Sequence, residues 1–125
     1  MSAGNDGTSV LIFSADALAA ALIGAAVELA GYSPVFPLEG ESPRAAVLRV
    51  RASGALVDCD HEEACAESFF GPAMMAGTRV AVFSSSRSVR QLEPIANEFG
   101  VRLFELPIDF VQLAALLADL TRRQA

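Results

Sequence analysis

The feature that most constrains this chain is an alternation: short, unbroken apolar or β-branched runs, each closed by polar residues, are separated by stretches with helical spacing. Ser9 to Phe13 is the first such run. A strand that is apolar at consecutive positions offers no face to water, so it belongs in a parallel sheet covered on both sides. From Ala17 to Ala30 the positions Leu18, Leu22, Ala26 and Leu29 recur at helical spacing, with Asp16 placed to cap the segment and Gly31 to end it. Tyr32 to Leu38 supplies a second strand. Ser42-Pro43 then opens a short helix running to about Arg51, because serine caps well and proline suits the first helical position.

Gly54 to Val57 is the third strand and runs directly into Asp58. Asp60 and Glu63 have the spacing of a capping box, which predicts that the third helix opens there. Arg79 to Phe83 forms the fourth strand, ending in Ser84, Ser85 and Ser86. The fourth helix is expected over Gln91 to Phe99, with Pro94 in or near its first turn and Gly100 as its stop. Val101 to Leu106 is the fifth strand, closed by Pro107. Asp109 and Gln112 open a last helix that carries Phe110, Leu113, Leu117 and Leu120 on one stripe and ends in Arg122 and Arg123. Strands alternating with helices through short connections predict the α/β class, with one doubly wound parallel sheet of five strands and five helices on its two faces. The fold is expected to cover 9–123, after a short mobile lead-in at 1–8.

In a chain of 125 residues, 53% hydrophobic content supplies the core of one domain. A net charge of −6 argues against nucleic acid or an anionic membrane as partner, since both require clustered Lys and Arg, and leaves a protein as the expected partner. The longest apolar stretch, Ala17 to Val27, is too short to span a bilayer. Met1 to Gly7 lacks the basic region of a signal peptide, so a cytoplasmic location is expected. Cys59 and Cys65, with His61 between them, form neither a CxxC motif nor a second metal-ligand pair, and read as two buried thiols in a reducing compartment.

In open α/β sheets chemistry collects at the carboxyl ends of the strands. The residues placed there are Ser14, Ala15 and Asp16, then Asp58, then Ser84, and finally Leu106-Pro107. A carboxylate that ends a buried strand must be paired, coordinated or shifted in pKa, which singles out Asp58. The order of a strand-end Asp at mid-chain, a strand-end Ser after it and a Pro after the fifth strand resembles the receiver domains of bacterial response regulators, over Ser9 to about Arg122.

That resemblance implies a CheY-like, flavodoxin-like sheet of order 2-1-3-4-5 with Asp58 as the phosphoacceptor. It also implies an acidic pair after the first strand that holds Mg²⁺, with the hydroxyl of Ser84 and a Lys before Pro107 binding the phosphoryl oxygens. Pro107 is preceded by a cis bond in that family. A dianionic phosphoryl group beside a carboxylate needs this positive charge. Here Ser14 and Ala15 occupy the acidic-pair positions, Asp16 stands one step beyond, and Leu106 takes the place of the Lys. Leu103 stands where the family tends to carry an aromatic switch residue. Asp16 and Asp58 are the only weak metal candidates, and Mg²⁺ is expected only if the acceptor site works.

The reading is therefore a stand-alone, atypical receiver-like domain, not an enzyme. It is expected to act in signalling through contacts with another signalling protein, with a homodimer through the first and last helices or the fourth and last as an expectation from the resemblance. Two alternatives compete with it. One is a working Asp58 phosphoacceptor in a phosphorelay, and the other is a small ligand bound at the same strand ends. No Gly-rich phosphate loop follows the first strand, and Ser84 to Ser86 lack a G-x-S-x-G elbow. Asp60 is a secondary acceptor candidate with a capping role. His61 is expected at an exposed helix start, and Met74 and Met75 with Phe69 and Phe70 are expected to pack the third helix on the sheet.

Overall fold

The apolar runs pair as parallel neighbours. A computed structural model describes residues 8–61, 63–84 and 88–122; the expected lead-in Met1 to Gly7, Glu62, Ser85, Ser86 and Arg123 lie outside them. The chain order is β1 (Ser9–Phe13), α1 (Ala17–Leu29), β2 (Ser33–Val35), α2 (Pro43–Val50), β3 (Gly54–Asp58), α3 (Glu67–Met75), β4 (Arg79–Phe83), α4 (Val89–Phe99), β5 (Arg102–Leu103) and α5 (Phe110–Leu120). The strands form one sheet of order β2-β1-β3-β4-β5.

Side chains alternate across each strand, so the continuous apolar runs fill two cores. Leu11, Phe13, Ala55, Val57, Val80 and Val82 join α2, α3 and α4 on one face. Val10, Ile12, Leu56, Ala81 and Phe83 join α1 and α5 on the other. No helix among the described residues is long and apolar enough to cross a membrane.

The caps fix where several elements begin. Asp16 accepts from the Leu18 N–H at 2.9 Å and Ser42 from the Ala45 N–H at 3.1 Å, with Pro43 at the first turn as expected. Asp109 accepts from the Gln112 N–H at 2.9 Å. The fourth helix begins earlier than expected, at Val89, because Gln91 reaches back to accept from the Ser88 N–H at 2.9 Å; Pro94 lies inside it and Gly100 ends it at φ 66°. The outer strands are shorter than the runs that announced them: β2 keeps Ser33–Val35 of Tyr32 to Leu38, and β5 keeps Arg102–Leu103 of Val101 to Leu106. Each is an edge strand with one pairing neighbour, so fewer residues are drawn into the ladder. Thr8, placed with the lead-in, already accepts from the Ser33 N–H at 2.8 Å.

Three leucines of the α1 stripe are turned outward, while Ala26 is partly buried against the α1–α5 core. Leu18, Leu22 and Leu29 are 69%, 63% and 77% exposed, whereas Ile23, Gly24 and Val27 face the core. The reason is a close approach: a Cβ on Gly24 would lie 2.9 Å from the Phe36 ring, so the small side of the helix is the one that fits against β1 and Phe36. On α5 the stripe Leu113, Leu117 and Leu120 is buried, but Phe110 at its start is half exposed. On α3, Phe69, Phe70 and Ala73 pack on the sheet while Met74 and Met75 point to solvent, correcting their expected place in the packing.

Candidate functional site

The sheet register brings the strand ends together. Phe13 pairs with Val57, so Ser14 stands beside Asp58, and Asp58 pairs with Phe83, which sets Ser84 next in line. Asp58 is fully buried. Its Oδ2 accepts from the Ser14 hydroxyl at 2.9 Å and its Oδ1 from the Asp60 N–H at 2.9 Å. The Ser84 hydroxyl donates to Asp60 Oδ1 at 3.0 Å. Ser14, Asp58, Asp60 and Ser84 are thus one hydrogen-bonded cluster over the ends of β1, β3 and β4. Ala15 is exposed, and Asp16 spends its carboxylate on the start of α1 through the Leu18 and Ala19 N–H groups.

The turn after Asp58 differs most from the sequence expectation. Cys59 and Cys65 are joined in a disulfide, correcting the reading as two thiols and removing that support for a reducing compartment. α3 begins only at Glu67, with Ala66 as its uncapped N-cap. Asp60 therefore does not cap a helix. His61 is half-buried in this turn, edge-on to Phe13 with ring centroids 6.2 Å apart, rather than exposed at a helix start.

On the other side of Asp16, Leu106 is partly buried against the α1–α5 core, and the Leu106-Pro107 bond is cis. An apolar groove of about 420 Å³ runs from there along α1, lined by Leu18, Leu22, Leu106, Pro107, Ile108 and Leu113 among others.

No family model matches the sequence, and no curated protein matches it. Solved structures do match. A response regulator from Thermotoga maritima is 16% identical, with a TM-score of 0.69 over 92% of this chain and 98% of that one. An orphan response regulator of H. pylori is 16% identical, with a TM-score of 0.73 over 95% and 100%. The receiver domain of a sensor histidine kinase from Pseudomonas aeruginosa, with magnesium coordinated in its active-site cleft, is 14% identical with a TM-score of 0.74 over 92% and 98%. The chain has the receiver fold.

The donor set at these strand ends does not fit a magnesium ion. Ser14 offers a neutral hydroxyl that donates to Asp58, Ala15 offers no ligand atom, and Asp16 Oδ1 accepts the Leu18 and Ala19 N–H groups at the start of α1. Among the described residues, no three His, Cys, Asp or Glu side chains gather as a metal-binding group. The Lys position is Leu106, and the sequence contains no lysine elsewhere to replace it.

Sequence reasoning located Asp58, Ser14 and Ser84 as strand ends but missed the Ser84–Asp60 bond and the disulfide. The available signal was two cysteines six positions apart, flanking a turn that begins at a strand end.

Proposed function

We propose that this chain is a receiver-type module that works through protein contacts, without phosphoryl transfer to Asp58 and without enzymatic turnover. The observation that carries the reading is the hydrogen bond from Ser14, at an acidic-pair position, to the carboxylate that a receiver would phosphorylate. A serine hydroxyl brings no negative charge to hold a metal there, and a phosphoryl group on Asp58 would meet a hydroxyl and a leucine where stabilising charge is needed.

The contact surface in this reading is the outward face of α1. Leu18, Leu22, Ala25 and Leu29 follow a 4-3-4 spacing, the pattern that suits packing against another helix, and only Glu28 interrupts the apolar run of α1. Two such stripes can pair about a two-fold axis, so a second copy is the partner proposed for it.

Incubation with Mg²⁺ and acetyl phosphate tests the first part. The expected result is an unchanged intact mass; a phosphoryl adduct that disappears in Asp58→Asn would contradict it.

A further inference from the structure

We propose that the end of the sheet where the strands begin carries an anion site, in which Arg79, Arg102 and Arg122 gather around Asp119 to take a dianionic phosphate group. The site lies at the opposite end of the strands from Asp58 and does not depend on how Asp58 is used.

The sheet register brings two of the arginines together. Arg79 opens β4 opposite Gly54, and Arg102 opens β5 opposite Ala81. Arg79 and Ala81 are two residues apart on one strand, so Arg79 and Arg102 leave the sheet on the same face, the one that α1 and α5 cover. The last turn of α5 comes down over these strand starts: a Cβ built on Gly54 would lie 3.6 Å from the Leu120 Cβ. Asp119 stands in that turn. Its carboxylate pairs with Arg102 through Oδ2 and with Arg122 Nη1 through Oδ1 at 3.5 Å, and its carbonyl accepts from Arg79 Nη1 at 3.4 Å. Three guanidinium groups, from β4, β5 and the end of α5, thus meet at one acidic residue.

Charge decides what such a cluster can take. Among the described residues, Asp119 is the only carboxylate paired with any of the three arginines. Its unit charge and the roughly half charge at the C-terminus of α5 leave an excess of about 1.5 positive charges. One arginine would be enough to serve the helix end, and Arg49, which faces Glu41 alone, has the one-to-one pairing that this cluster exceeds. The excess arises in a chain of net charge −6 with no lysine.

Asp119 already supplies one monovalent carboxylate, so an added anion matches the excess only if it brings about two charges. Guanidinium groups present forked N–H donors that fit phosphate oxygens. The Arg102 and Arg122 side chains are 52% and 70% exposed, which leaves N–H groups of both open to a ligand. Exposed ion pairs are weak, so these arginines can turn from Asp119 to incoming oxygens at little cost. A free phosphate and a phospholipid headgroup share this chemistry. The net charge of −6 repels an anionic membrane, which assigns the site to a small soluble phosphate.

The test titrates the full chain with inorganic phosphate, at a pH where it is a dianion and at constant ionic strength, and follows backbone amide and arginine Nε–Hε NMR shifts. Saturable shifts are expected at Arg79, Arg102 and Arg122, and none with acetate. Arg102→Gln and Arg122→Gln are each expected to weaken binding by about tenfold or more, while Arg44→Gln, at an exposed position on α2, leaves it unchanged. In a separate flotation assay, vesicles of phosphatidylcholine and phosphatidic acid are expected not to carry the chain. Phosphate shifts no larger than those with acetate, binding that is the same in both glutamine variants, or flotation with the vesicles in place of phosphate binding overturns the proposal.

Discussion

The carboxylate of Asp58 is buried, and each of its oxygens accepts a hydrogen bond, from the Ser14 hydroxyl and the Asp60 N–H. A buried charge is tolerated only with such partners. Asp58→Ala removes the acceptor from both donors and is expected to lower stability by about 1–3 kcal/mol in urea unfolding. A loss below about 0.5 kcal/mol would show that the cluster is not held as described. Cys65→Ser is expected to cost about 2 kcal/mol, the loop-closure entropy of a short ring, read as a lower urea midpoint with the slope nearly unchanged. At this scale the sequence showed which residues stand at the strand ends, because an unbroken apolar run marks its own terminus. It did not show which hydroxyl meets which carboxylate: Ser84 bonds Asp60 rather than Asp58, a choice made by the turn that the disulfide closes.

Among the elements, α1 departs furthest from its sequence pattern. An apolar stripe at helical spacing is normally the buried one, yet Gly24, next to Ile23 and Val27, allows a closer approach to Phe36 and takes the inner face. The outward stripe is therefore available for contact, and the two faces predict opposite behaviour. Leu22→Glu is expected to change stability by no more than about 0.5 kcal/mol while abolishing concentration-dependent self-association in sedimentation velocity. Ile23→Ala is expected to lose about 2–5 kcal/mol. A wild-type chain that stays monomeric at all concentrations would remove the α1 pairing. The connection between β2 and α2 is held by Glu41, which accepts from Arg49 Nε at 2.6 Å, Arg49 Nη2 at 2.9 Å and the Leu38 N–H at 2.9 Å. The Arg49 hydrogen bonds, then the Leu38 N–H, lower the Glu41 carboxyl from its ordinary 4.5 to about 2. Its folded value lies below its unfolded one, so its contribution is complete above about 4.5 and is lost as the pH falls toward 2. A carboxyl NMR titration should place the Glu41 midpoint near 2, and Arg49→Ala should move it back toward 4.5.

For the molecule as a whole, the alternation of apolar runs and capped helices made a parallel sheet covered on both faces legible, while the strand order came from the receiver resemblance. What escaped the sequence lies where tertiary contacts override local signals: the start of α3 at Glu67 and the short edge strands β2 and β5. The receiver fold places Asp58 at the end of the central strand β3, with Ser14 and Ala15 after β1 and Leu106 before Pro107. The most direct test is an NMR titration of the folded chain with Mg²⁺ followed by beryllofluoride, watching the amides of Ser14, Asp58 and Ser84. The account predicts no saturable shift at those positions with either addition. Saturating shifts that vanish in Asp58→Asn would contradict it.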